Sequence, residues 1–278
     1  MPARADRTGN NVPVYESDVI ELRSPDGRLV VHVDPEHGGR VARIAYKDRE
    51  LLVGSDHPES HHPLGWGCYP MIPFCGRVRG ARLNFRNRSH ALEAGAPPHA
   101  IHGTVLDRAW MVDAVDRQSV SMSIDLGDRW PFAGRARQVI RVDDRGLSLS
   151  ATVLAIDEMP AMIGWHPWFV KPDRTNFRPT HVLRKDEDGI TTDRSIPAPD
   201  GALDDCFEGS DELLTMIIDD VAVSLSSDCS HWVLYDVPNH ATCVEPQSGP
   251  PNQVNDAPIV LGAGDSMSRW FRIELDEA

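Results

Sequence analysis

The sequence predicts an all-β protein built as one large antiparallel β-sandwich, and two observations carry that expectation. Apolar and polar residues alternate with period two along much of the chain, and no segment keeps a helical apolar stripe for three turns. The 22 prolines and 21 glycines fall between these alternating runs instead of collecting in a linker. In chain order, the first fifteen residues are polar and read as a loose arm. "SPDGR" (24–28) reads as a hairpin turn, and in the following "GRLVVHVDP" Leu29, Val31 and Val33 share one face. In "QVIRVDDRGLSLSATVL", Ile140 and Val142 alternate with Arg141 and Asp143. After "DDRG", Leu147, Leu149, Ala151 and Val153 alternate with Ser and Thr. That is a hairpin signature, because Gly146 can take the positive φ a tight turn needs. Similar pairs surround "DEDG" (186–189) and "IIDDVAVSL" (217–225), a short helical turn is expected near "SDELL", and "SRWFRIEL" is a closing strand. No internal repeat or low-complexity tract breaks the chain, so residues 1–278 are expected to form a single domain.

Composition narrows the function classes. With 42 acidic against 28 basic residues the net charge is −14, which argues against a nucleic-acid surface and against attraction to anionic membranes. The five cysteines include no CxxC pair, so neither a zinc ribbon nor a dithiol redox motif is signalled. The opening residues lack an apolar signal core and no 18-residue apolar run follows, so a cytoplasmic protein with reduced thiols is expected.

Four stretches hold polar chemistry in apolar or Gly/Pro-rich frames. In "YPMIPFCGRVRGARLNF" (69–85), Gly76 and Gly80 bracket Arg77 and Arg79. Glycine permits close backbone approach, so Arg77 can reach a ligand oxygen, although a hairpin with solvated arginines fits as well. For Arg79, Arg82, Arg86 and Arg88 the solvated reading is preferred. In "PPHAIHGTV" (97–105), His99 and His102 stand three apart, a metal-ligand spacing on a helix. On a strand they face opposite ways, and the prolines disfavour a helix, so no metal site is expected. "IGWHPWF" (163–169) sets His166 among Trp165, Trp168 and Phe169, as either a core histidine or a tuned acid. In "TCVEPQSGPPNQVN" (242–255), Glu245 lies between Val244 and Pro246. Partial desolvation would raise its pKa towards the working range of a general base; the alternative is an exposed strand-end carboxylate. An acidic pair in "ALDDCFEG" (202–209) and the "HPESHHP" loop (57–63) are lesser candidates.

The pieces "PFCGRVRGARLNF", "HAIHG", "GWHPWF", "LDDCF" and "CVEPQSGPPNQVN" resemble, in order, the motifs of the aldose 1-epimerase (galactose mutarotase) family, in its compact branch. They span residues 69 to 255, and "SRWFRIEL" is similar to the family's closing strand. The resemblance implies a galactose mutarotase-like β-sandwich with a sugar cleft on one face, acting as a cofactor-independent isomerase. Carried over by position, Glu245 is the general base at the anomeric hydroxyl and His166 the general acid at the ring oxygen. His102 assists at the ring oxygen, while Arg77 and Asp204 hold sugar hydroxyls. Trp165 and Trp168 would offer apolar faces to the sugar. The implied partner is a small-molecule sugar, with no metal, nucleic acid or membrane. In "TVLDRAW", after "HAIHG", the basic residue is displaced from the family's position. Three rival readings remain: a hexose-6-phosphate mutarotase using the arginines of 77–88, a non-catalytic carbohydrate-binding protein on the same fold, and a cupin-like metalloenzyme using His99, His102, His166 and Glu245.

Overall fold

Side-chain alternation sorts the strands into two antiparallel sheets, each with one face turned to a shared core. In the computed structural model, residues 19–60, 62–209 and 213–278 are described. The front sheet runs Ile20–Arg23, Leu29–Asp34, Arg40–Tyr46, Cys68–Met71, Gly164–Val170, Ala241–Gln247, His231–Tyr235, Asp204–Glu208, with Arg49–Glu50 beside Arg40–Tyr46. The back sheet runs Met111–Val115, Ser119–Asp125, Gly134–Asp143, Gly146–Ala155, Ser266–Glu277, Val221–Ser227, Leu214–Ile218, Arg174–Thr175. Strands distant in sequence therefore meet at the centre of each sheet.

The expected hairpins are present. Leu29, Val31 and Val33 are buried on one face, and "SPDGR" links Ile20–Arg23 to Leu29–Asp34. Gly134–Asp143 pairs with Gly146–Ala155 down to Asp143 opposite Gly146. Gly146 has φ +145°, and its neighbour strand adds a second reason for glycine: a Cβ there would stand 2.1 Å from the Ile273 carbonyl oxygen. The turn itself is held by the Asp143 carboxylate, which accepts the Arg145 N–H at 2.8 Å. "SRWFRIEL" lies within Ser266–Glu277, between Gly146–Ala155 and Val221–Ser227.

The core between the sheets is one cluster that includes Leu22, Val31, Ile44, Ile140, Leu149, Trp165, Phe169, Phe271 and Ile273. Each such side chain contributes about 1.5–3 kcal/mol on full burial. The loose-arm expectation for residues 1–15 lies outside the described residues, as do 210–212 of "SDELL"; Leu214 opens a strand rather than a helical turn. The sequence reading did not anticipate the one-turn helix Gln253–Asp256 or the 3-10 turn Arg79–Ala81. Among the described residues no helix is long and apolar enough to cross a membrane.

Candidate active site

Strand register builds the site floor. Gly164 pairs with Gln247 and Trp168 with Cys243, which sets His166 beside Glu245 between them. His166 is also opposite Tyr69, Glu245 opposite Val233, and Val233 opposite Cys206. A second row crosses the same strands: Trp168, Cys243, Tyr235, Asp204. Five strands thus present Tyr69, His166, Trp168, Glu245, Tyr235 and Asp204 to one pocket of about 280 Å³ on the outer face of the front sheet.

His166 and Glu245 are in direct contact. Nε2 of His166 lies 3.2 Å from Oε1 of Glu245, with the residues 4% and 2% exposed. The second carboxylate oxygen accepts from Gln247 Nε2 at 3.2 Å. The imidazole is stacked between Tyr69 (ring centroids 4.9 Å apart) and Trp168 (5.4 Å). Burial disfavours both charges. It drives Glu245 well above the ordinary carboxylate range, helped by Asp204 and opposed by Gln247, Arg77 and Lys185. It drives His166 well below the ordinary imidazole range, helped by His102 and Arg40. The two proton affinities therefore move towards each other.

The pocket walls come from short elements above the sheet. Arg77 pairs with Ile101 in the two-stranded piece Arg77–Val78 and Ala100–Ile101, and His102 follows directly. His102 holds φ +56°, uncommon for a residue with a Cβ, and its N–H donates to the Gly76 carbonyl at 3.0 Å. Gly103 is required next to it, because a Cβ there would stand 2.0 Å from the Ile72 carbonyl oxygen. The His102 ring meets His166 edge-on at 4.8 Å. Burial, then the Arg77 charge, lowers its pKa to about 3, so it stays neutral. Arg77 has no ion-pair partner among the described residues, whereas Arg79 is held by Asp186 and Asp188.

A family model described as aldose 1-epimerase matches residues 18–274. The chain belongs to the aldose 1-epimerase family. One curated relative, the uncharacterised protein YphB of Escherichia coli (strain K12), is 26% identical over 116 residues, 40% of this chain and 39% of that protein. The matched segment thus spans about two fifths of that relative. Among solved structures, a GalM/aldose epimerase homologue from C. elegans superposes with a TM-score of 0.81 at 16% identity, covering 94% of this chain and 99% of that one. A galactose mutarotase-like protein from Clostridium acetobutylicum gives 0.78 at 15% identity over 94% and 95%. A galactose 1-epimerase from Lactobacillus acidophilus NCFM gives 0.78 at 14% identity over 99% and 98%. At such identities these likenesses establish the fold and leave function to the site.

In this aldose 1-epimerase family member, six of the seven residues singled out by the sequence line one pocket: Arg77, His102, His166, Trp168, Asp204 and Glu245. Trp165 does not, and that expectation is corrected. It is 0% exposed on the core side of its strand, donates Nε1–H to Gln138 Oε1 at 3.0 Å, and lies 6.1 Å from the Phe271 ring. Strand alternation forces this, since residues 165 and 166 point to opposite faces. Of the acidic pair, Asp204 reaches the pocket and Asp205 does not line it. The two residues that the resemblance gives as acid and base, His166 and Glu245, sit side by side on the sheet. The hydroxyl and ring oxygens of a cyclic sugar share C1, so neighbouring groups on one face can reach both.

Tyr69, Tyr235, Gln247 and Lys185 also line the pocket and were not singled out. For Gln247 a signal existed, because it lies two residues beyond Glu245 on one strand. The displaced basic residue of "TVLDRAW", Arg108, donates to the Leu126 carbonyl at 2.7 Å and does not line the pocket. His99 is used structurally: Nδ1 accepts the Gly80 N–H at 3.0 Å, so Nε2–H donates to the Asp188 carbonyl at 3.1 Å. In the "HPESHHP" loop, His57 stacks on His240 at 4.6 Å, and His61 lies outside the described residues. Among the described residues no three His, Cys, Asp or Glu side chains are grouped to hold a metal ion.

Proposed function

We propose that this chain interconverts the α and β anomers of an unphosphorylated aldohexose by acid/base opening and closing of the ring, without a cofactor. One observation carries the reading: the buried His166–Glu245 contact of 3.2 Å at the floor of the pocket. Opening a cyclic hemiacetal removes a proton from the anomeric hydroxyl and delivers one to the ring oxygen. Glu245 takes the first as base while His166 gives the second as acid, and the C1–O5 bond breaks. Rotation about C1–C2 turns the aldehyde, and the pair runs in reverse to close either anomer. Because one proton leaves as another enters, the productive pair carries a single proton throughout. Neutral His102 steadies the ring oxygen as an N–H donor, Arg77 and Asp204 hold hydroxyls, and Trp168 faces the sugar's C–H groups.

The preference for an unphosphorylated sugar comes from the charges. Among the described residues Arg79 is paired with Asp186 and Asp188 and Lys185 with Asp204, so Arg77 is the pocket cation without an ion-pair partner, and the acidic Glu245 and Asp204 beside it disfavour a phosphate. Polarimetry on freshly dissolved α-anomers of free and 6-phosphorylated hexoses, without added metal, tests the reading. Faster mutarotation of a free hexose is expected. Acceleration of the phosphorylated sugars alone, or activity abolished by a chelator and restored by a divalent ion, refutes it.

A further inference from the structure

The pocket's outer wall is a hairpin outside both large sheets. His181–Lys185 and Thr191–Pro197 form a two-stranded sheet of their own. The hairpin rests on the edge strand Asp204–Glu208 through a small separate cluster of Leu183, Cys206 and Val233. It brings Lys185, Gly189 and Thr191 to the pocket. Lys185 Nζ lies 2.9 Å from Asp204 Oδ2 and also donates to the Asp204 carbonyl. An ammonium has three N–H bonds, so one remains for a ligand, beside the unused lone pairs of the Asp204 carboxylate. A donor and an acceptor side by side match two adjacent hydroxyls of a sugar ring.

The tip of the hairpin is latched across the pocket. Asp186 Oδ1 accepts the Asp188 and Ile190 N–H groups, each at 3.0 Å, which fixes the turn. Arg79 then holds both carboxylates: Nη1 donates to Asp188 Oδ2 at 2.7 Å and Nη2 donates to Asp186 Oδ2. His99 adds its bond to the Asp188 carbonyl, and the Arg79 N–H donates to Asn252 Oδ1 at 3.0 Å. The latch joins the hairpin to the turn that follows Arg77 and to the loop after Glu245. The rest of the hairpin is anchored through Leu183, through Val182 and Ile196 on the main core, and through Lys185 on Asp204, so the latch is what holds its tip.

We propose that Lys185 is a specificity-determining contact to the sugar and that Arg79 is its positioning residue, acting through the hairpin to hold Lys185 and Asp204 at adjacent hydroxyls. The proposal rests on the sugar-binding reading given above. Exposed ion pairs add little to stability, and the Arg79 side chain is 42% exposed, so its loss is read in binding.

The test combines calorimetric Kd values for glucose and galactose with polarimetric kinetics on the full chain. Lys185→Met is expected to weaken Kd and raise KM about tenfold, the order of one charge-assisted hydrogen bond. Arg79→Ala is expected to do so about three- to tenfold with kcat within about twofold, and Arg79→Lys to recover part of the loss. The double variant should bind no more weakly than Lys185→Met alone, and Arg86→Ala, which breaks the exposed pair with Glu158, should leave Kd unchanged. Among monodeoxy hexoses, the one lacking the contacted hydroxyl should be insensitive to Lys185→Met. An unchanged Kd in Arg79→Ala, additive losses in the double variant, or equal sensitivity of every deoxy sugar overturns the proposal. Wild-type binding without anomer exchange refutes the proposed activity and leaves these Kd comparisons decisive, whereas no binding by the wild type overturns both.

Discussion

Replacing Glu245 with glutamine keeps the shape of the site and removes the proton acceptor of the proposed reaction. Each positioned acid or base contributes about 10²–10⁴ to rate, so Glu245→Gln and His166→Asn should each lower kcat by that order, with smaller changes in KM. The double variant should be little worse than either single one, because the two groups act in one step. The structure also assigns the pH dependence to the pair. Burial raises Glu245 above its reference of 4.5 and lowers His166 below its reference of 6.5, so the uncharged pair, with one proton on Glu245, is the favoured buried form. A second proton, gained in acid, and loss of the last, in alkali, both stop the exchange. The bell-shaped kcat/KM profile has limbs that belong to the pair and not to one residue each. The same count fixes stability. The unfolded chain, with both groups at their reference values, holds one proton between pH 4.5 and 6.5, two below and none above. Glu245 therefore loses stability as pH rises from 4.5 towards its folded pKa, and His166 loses it as pH falls from 6.5 towards its own. The limiting slope from Glu245 is about 1.4 kcal/mol per pH unit, and Glu245→Gln removes that contribution. Polarimetry and denaturant melts at pH 6.5 and 8.5 read both effects. A variant retaining near-normal kcat, or one whose stability gap to wild type is the same at both pH values, refutes the reasoning.

Two further outcomes follow from where side chains point. Arg77→Ala should raise KM about 10–100-fold with kcat changed far less, since a charge-assisted hydrogen bond contributes about 1.5–3 kcal/mol; Arg88→Ala, exposed on the hairpin Arg82–Phe85 and Arg88–Ala91, should leave kinetics unchanged. Trp165→Phe should cost about 1–3 kcal/mol of stability by stranding Gln138 Oε1 while sparing kcat/KM, whereas Trp168→Leu, which unstacks His166, should lower kcat/KM about 2–10-fold. Steady-state kinetics and thermal melts on all four variants check both, and reversed behaviour of the two tryptophans would place the strand the other way round.

Much of this was legible because a strand has one simple period. The hairpins at Gly27, Gly146 and Gly189 are written in turn residues flanked by alternation, and each is present. Six of the seven residues that the five motifs singled out line the pocket. Trp165 misled because "WHPWF" is apolar towards both faces, and such a strand carries no hydrophobic phase of its own. The phase was nonetheless recoverable: once His166 is set in the pocket, period two sends Trp165 to the core and keeps Trp168. Lys185 and Tyr235 carried no local signal, because only the strand order brings 185, 204 and 235 together. Arg79 read as a solvated arginine because its partners lie more than a hundred residues away.

The floor of the pocket is where the fold works against its own stability. A glutamate and a histidine, nearly fully buried and touching, are each disfavoured in their charged forms, and among the described residues no arginine or lysine pairs with the carboxylate. Arg77 and Lys185 act on Glu245 from a distance and favour its ionised form, while Asp204 opposes them. Arg40, fully buried behind Tyr69, spends its donors on the carbonyls of His37, Pro63, Trp66 and Leu106, so its charge stays in place without a carboxylate partner. With His102 it presses His166 towards neutrality. Burial thus favours the uncharged pair with the proton on Glu245, and Arg77 and Lys185 pull the other way. The proposed exchange, which runs from either anomer, draws on both pulls, since an acid too strong or a base too strong would speed one half-step and stall its reverse.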